Sequence, residues 1–153
     1  MLSLSKFTLI LGIGNSLRGD DGVGPYIIDK LKIENSQLKI LNCGVVPEDY
    51  IDEISELSPD KIFIIDAANF EEKPGTVKIV DEINIPEKSL STHNISLKVF
   101  VGLLKQFTQA KVFLIGIQPE NMDYVEGLSK TVKASADRLV EQIVEGSIIK
   151  KYE

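Results

Sequence analysis

The chain has 153 residues, 43% hydrophobic and 26% charged, which suits one domain with a sizeable core and excludes disordered and collagen-like classes. Its formal net charge of −6 argues against a nucleic-acid footprint, which needs clustered positive charge. Cys43 is the single cysteine, so no intrachain disulfide can form; with no apolar run of membrane-span length and no signal-peptide pattern, a cytoplasmic protein with neither nucleic-acid nor membrane partners is expected.

Phe7 to Ile13 is a short, nearly continuous apolar run ending in glycines, as a strand covered by helices on both faces reads. Val23, Ile27, Ile28 and Leu31 then recur at helical spacing, with Pro25 in the first turn, where its missing N–H does no harm. Leu38 to Leu41 is a second strand, and a helix from about Glu48 places Tyr50, Ile51, Ile54 and Leu57 on one face. Lys61 to Asp66 is the clearest central strand, four apolar residues ending abruptly in a carboxylate. After the turn chemistry of Lys73-Pro74-Gly75, Thr76 to Val80 alternates like a half-exposed strand. The connection is too short for a crossover helix, so this strand should be antiparallel and at an edge.

Asp81 to Leu90 is polar and irregular, and the charged segment Asp81 to Glu87 reads as a solvated loop. Ser91-Thr92-His93-Asn94 opens a helix with apolar positions Ile95, Val99, Phe100, Leu103, Leu104 and Phe107, N-capped by Thr92 or Asn94. Lys111 to Ile117 is another buried strand, Glu120 to Leu128 a polar loop, and Ser129 the cap of a last helix that turns Val132, Ala136, Leu139, Val140, Ile143 and Val144 inward. Strands alternating with helices predict one α/β domain over residues 1–153, a three-layer αβα arrangement with a mostly parallel twisted sheet and one antiparallel edge strand.

The turn after the first strand has the look of a phosphate loop and the wrong charge for one. Gly14 and Gly19 have Walker A spacing, but Asp20-Asp21 stands where Lys and Ser or Thr belong, and two carboxylates repel phosphate. The dinucleotide fingerprint fails too, because Leu17 occupies the position of its third glycine. Such a turn prefers a cation or a polarised, neutral group. In an open α/β sheet the loops at the carboxyl ends of the strands form the site, which brings Asp20 and Asp21, Asp66 and His93, the only histidine, to one predicted rim. One imidazole with two carboxylates is a plausible divalent-metal shell. Each residue also has a structural reading: Asp21 as acid at a helix start, Asp66 as a polar strand end, His93 as a cap or surface residue. Cys43 lacks any neighbour that would stabilise a thiolate and is not favoured as a nucleophile.

Four motifs in order, Leu11-Gly12-Ile13-Gly14-Asn15 with Asp20-Asp21-Gly22-Val23-Gly24, Ile64-Ile65-Asp66-Ala67, Thr92-His93-Asn94 and Gly116-Ile117-Gln118-Pro119-Glu120, resemble those of the hydrogenase maturation endopeptidases. The match spans nearly the whole chain and looks most like the subgroup that processes the hydrogenase of formate hydrogenlyase-type complexes (hydrogenase 3). The resemblance implies a peptidase that removes the C-terminal extension of the NiFe hydrogenase large-subunit precursor after nickel insertion. It implies further that Asp21, Asp66 and His93 contact nickel carried by that substrate, with no permanently bound cofactor and a monomeric enzyme. Where family members often have Asp-Gly-Gly after the second strand, this chain has Asn42-Cys43-Gly44. The alternatives are a metal-dependent peptidase of the same broad fold acting on other peptides, and a non-enzymatic nickel-binding module.

Overall fold

In the computed structural model, residues 7–34, 38–87 and 95–152 are described. Five strands form one sheet: β1 (Thr8–Ile13), β2 (Lys39–Gly44), β3 (Lys61–Ala67), β4 (Val77–Asp81) and β5 (Lys111–Ile117), in the order β2-β1-β3-β5-β4. The first three pair in parallel with one another and with β5, while β4 runs antiparallel along β5 at the edge. Helices α1 (Val23–Glu34), α2 (Ile51–Leu57), α3 (Leu97–Leu104), α4 (Lys130–Glu145) and α5 (Ser147–Lys150) complete the fold. The expected architecture is the one found.

The unbroken apolar runs of β1, β3 and β5 follow from burial on both faces. Ile10, Phe63, Ile65 and Ile115 pack with Ile27, Ile28 and Leu31 of α1 and Ala136, Leu139 and Ile143 of α4. On the other face Leu9, Leu11, Ile62, Ile64 and Leu114 meet Ile54 of α2 and Phe100 and Leu104 of α3. Each buried Leu, Ile or Phe contributes roughly 1.5–3 kcal/mol relative to exposure, so these two layers carry the stability. The short α5, which the sequence pattern did not reveal, follows Gly146 at φ +81° and brings Tyr152 against the Phe63–Phe113 ring pair, stacked at 5.1 Å.

The strand after the Pro-Gly turn is antiparallel and at the edge, as expected; β5 is inserted between it and β3, and the 68–76 connection passes over the carboxyl end of β5. Three local expectations are corrected. The helix-capping side chain at α3 is Ser96, whose Oγ accepts from the Val99 N–H at 3.1 Å; Thr92 and Asn94 lie outside the described residues. Helix α3 is apolar on more than its core side, so it buries Phe100, Val101 and Leu104 and leaves Val99 and Leu103 exposed, with Phe107 beyond its end. In α4, Ser129 caps as expected, but Val144 faces outward because it sits a quarter-turn past the buried stripe. Among the described residues no helix is long and apolar enough to cross a membrane.

One polar contact ties α1 to α4: the Tyr26 hydroxyl donates to Asp137 Oδ1 at 2.7 Å. Burial and then this carboxylate push the Tyr26 phenol up to about 12. The phenolate absorbance that disappears in Tyr26→Phe should therefore titrate near that pH, and Asp137→Asn should bring it part of the way back toward the ordinary tyrosine range of about 10. A Tyr26 titration that Asp137→Asn leaves in place would contradict this coupling.

Candidate active site

Helix α1 leads from β1 to β2 on one face of the sheet, and α2 leads from β2 back across to β3 on the other. The strand order therefore reverses between β1 and β3, and in an open α/β sheet the crevice at the carboxyl ends of such a pair is where ligands bind. Asp21 follows β1 and Asp66 ends β3. Glycines make the approach of the two elements possible. A Cβ on Gly24, at the start of α1, would stand 2.5 Å from the Ile65 carbonyl oxygen, and one on Gly14 (φ +149°) would run into the Asp21 carbonyl. Larger residues at either position would push α1 and its turn away from β3.

The two adjacent aspartates have different jobs. Asp20 is fully buried in a 3-10 turn, Gly19–Gly22, and spends its carboxylate on the loop between β5 and α4. Its Oδ2 accepts from the Glu120 and Asn121 N–H groups at 2.8 and 2.9 Å and from Ser129 Oγ at 2.9 Å, and its Oδ1 from the Ser129 N–H at 2.8 Å. The Asp20 N–H in turn donates to the Asn121 carbonyl at 2.8 Å. These contacts fit a structural residue and not a metal ligand. Asp21, also buried, accepts from the Asn15 N–H through Oδ2 at 2.9 Å, which turns its carboxylate back over the end of β1.

Asp66 is buried at the end of β3, and its Oδ1 has no hydrogen-bond partner among the described residues. Burial and then the Asp21 charge hold its carboxyl well above the usual carboxylate range, against a smaller opposing effect of the hydrogen bond from the Ala67 N–H. A buried carboxyl oxygen without a donor, raised by a second carboxylate, is the arrangement a cation relieves. Two carboxylates and an imidazole are a fitting donor set for a first-row divalent ion. His93 lies outside the described residues, and among those described no group of three or more His, Cys, Asp or Glu side chains is gathered for metal binding.

The far wall of the rim is held by Gln118, quoted in the sequence motifs but given no role there. Its Oε1 accepts from the Phe70 and Glu72 N–H groups at 2.7 and 3.3 Å, and its Nε2 donates to Asn69 Oδ1 at 3.1 Å. Phe70 in turn lies over Gly116, the residue paired with Asp66 in the sheet, where a Cβ would come within 2.6 Å of its ring. Asn42-Cys43-Gly44 forms the opposite wall: the Gly44 carbonyl accepts from the Gly14 N–H at 2.9 Å, and Asn42 Oδ1 accepts from the Gly44 N–H at 3.0 Å. Cys43 is buried, and burial followed by the Glu53 charge pushes its thiol up to about 12, so it supplies no thiolate nucleophile.

Residues 25–146 match the family model HycI, hydrogenase maturation protease. A Methanocaldococcus jannaschii relative, assigned by name to the hydrogenase maturation proteases, is 39% identical, with 92% of this chain and 88% of the relative covered. The hydrogenase 3 maturation protease of Escherichia coli is 30% identical over 88% of this chain and 87% of its own length. Among solved structures, the NiFe hydrogenase maturation protease HycI from Thermococcus kodakarensis superposes with a TM-score of 0.81 at 34% identity, covering 92% and 91% of the two chains.

Two outcomes follow from the different environments of the aspartates. Because Asp66 binds its proton more tightly folded than unfolded, its ionisation opposes folding, and stability falls as pH rises from the unfolded carboxylate range through the raised folded value. Asp66→Asn should therefore melt a few degrees higher at neutral pH, at roughly 2–4 °C per kcal/mol, with the gap closing below about pH 4. A gap that widens in acid would contradict this. Asp20→Ala leaves three N–H groups and a hydroxyl without their acceptor and should lose at least about 3 kcal/mol in denaturant unfolding.

Proposed function

The chain belongs to the hydrogenase maturation protease family and is a peptidase, and from that premise we propose that it removes the C-terminal extension of a NiFe hydrogenase large-subunit precursor after nickel insertion. The substrate's nickel is read by Asp21, Asp66 and His93. The observation that carries this reading is the Asp66 carboxyl: buried, lacking a donor at Oδ1 among the described residues, and raised by burial and by Asp21. A precursor without metal presents this pair with no counter-charge, whereas a nickel-bearing one allows Asp66 to ionise and releases its proton.

The chemistry is of the carboxylate type. Nickel arriving with the substrate supplies Lewis-acid polarisation of the scissile carbonyl or of a water. Asp21 and Asp66 hold it over the crevice between β1 and β3, and the turn built on Gly14 and Gly24 keeps the two carboxylates together. Water is favoured as the attacking group, since the Cys43 thiol is buried and protonated. We further place the protein in the cytoplasm as a monomer without a resident cofactor. The hydrogenase 3 subgroup is preferred on the motifs; overall identity separates it little, at 30% to the Escherichia coli hydrogenase 3 protease and 28% to the hydrogenase 2 protease.

Purified protein incubated with nickel-loaded precursor should release the C-terminal peptide, while nickel-free precursor stays intact; equal cleavage of both overturns metal reading. Asp21→Asn, Asp66→Asn and His93→Ala should each lower processing by about a hundredfold or more while keeping the fold, in the range expected when an interaction made at the reacting centre is lost.

A further inference from the structure

Beside the crevice the two loops joined by Asp20 present a surface of their own. Leu17 is 59% exposed, Tyr124 81% and Val125 48%, whereas Met122 and Leu128, in the loop of Tyr124 and Val125, are half-buried against the core. The three exposed side chains stand together because the loops are fastened at several points. The Gly19 N–H donates to the Val125 carbonyl at 2.7 Å, Arg18 Nε donates to the Met122 carbonyl at 3.1 Å, and the Arg18 guanidinium lies 4.7 Å from the Tyr124 ring centre. Exposed side chains on loops this firmly tied are pre-ordered, so little conformational entropy opposes their engagement by a partner. A stacked Tyr–Arg pair is also the composition that dominates binding energy at protein interfaces.

We infer that this ledge, Leu17, Arg18, Tyr124 and Val125, is the docking surface for the polypeptide substrate, and that the segment it takes is apolar with lysine or arginine side chains. The inference rests on the peptidase reading above and adds where the precursor is gripped. Continuity with the crevice supports it: the Arg18 carbonyl accepts from the Asp21 N–H at 3.0 Å, so the ledge and the catalytic turn are one piece of backbone. Charge selects the occupant. Residues 119–128 expose Glu120, Asp123 and Glu126 and contain no lysine or arginine, Arg18 is engaged by Tyr124 and Met122, and the whole chain carries −6. Next to Gly19 a hollow of about 360 Å³, lined by Ser16, Tyr26 and Leu128 among others and carrying one charge of each sign in Asp29 and Lys133, offers room for one or two apolar side chains.

The experiment measures precursor binding by calorimetry and cleavage kinetics in parallel, for the full-length protein and its variants. Leu17→Ser with Tyr124→Ser should weaken binding and raise KM by about tenfold or more, with kcat within twofold, since the reacting groups are untouched. Glu126→Lys should weaken binding further, and added salt should weaken wild-type binding. Val99→Ser and Phe107→Ser, on the exposed apolar stripe at α3, should change neither. Unchanged binding in the double variant of a protein that cleaves its precursor overturns the ledge and leaves the function standing, as does a larger loss from the α3 variants. Tighter binding by Glu126→Lys overturns the basic occupant. A wild-type protein that binds the precursor through the ledge without cleaving it overturns the processing reading alone, and one that neither binds nor cleaves overturns both.

Discussion

A single buried carboxylate, with no ion-pair partner among the described residues, organises the functional end of this molecule. Asp20 would be costly to bury alone, and its charge is offset by three backbone N–H groups and one hydroxyl from the β5–α4 loop. Ser129 takes part twice, giving its hydroxyl proton to Asp20 and its oxygen lone pair to the Val132 N–H at the start of α4. The first turn, the long polar loop and the last major helix are thus tied together. Asp21 is the next residue along, so its position over the crevice is inherited from contacts that involve no part of the chemistry.

Opposed environments for neighbouring carboxyls give the site its character. Asp20 is saturated with donors, whereas Asp66 has an oxygen with none among the described residues and faces the charge of Asp21. The donors around Asp20 leave its oxygens no capacity for a further partner, whereas the donor-poor burial of Asp66 favours its protonated form over its charged one. Under the proposed function, selectivity for a filled substrate needs no moving lid. It follows from the cost of leaving two carboxyls close together in a low-dielectric crevice.

Much of this was legible in the sequence, for identifiable reasons. Parallel strands covered on both faces must be apolar throughout, so β1, β3 and β5 were readable as runs, and the abrupt ending of β3 at Asp66 marked the rim. The distinction between Asp20 and Asp21 was not settled in advance, because adjacent acids look alike until one knows which faces the N–H groups of a loop a hundred residues away. The α3 cap was misplaced because Ser91, Thr92, Asn94 and Ser96 all satisfy the same local preference. Gln118 carried no periodic or charge signal; its importance lies in backbone groups of 69–72 that only the fold brings beneath it.

The strand order also bears on how the chain is made. Val77–Asp81 has its hydrogen-bonding partner in Lys111–Ile117, so during synthesis it waits until α3 and all of β5 have emerged. Meanwhile the exposed edge of β3 stands a short turn away, and a hairpin between the two is the local, quickly closed pairing. Reaching the native sheet means keeping that edge free for β5, which pairs with β3 along its whole length, from Lys61 opposite Lys111 to Ala67 opposite Ile117. The candidate rim, which needs Asp66 beside Gly116 and Gln118 over the 68–76 connection, is therefore among the last parts of the molecule to take shape, and a nascent chain too short to contain β5 lacks it altogether.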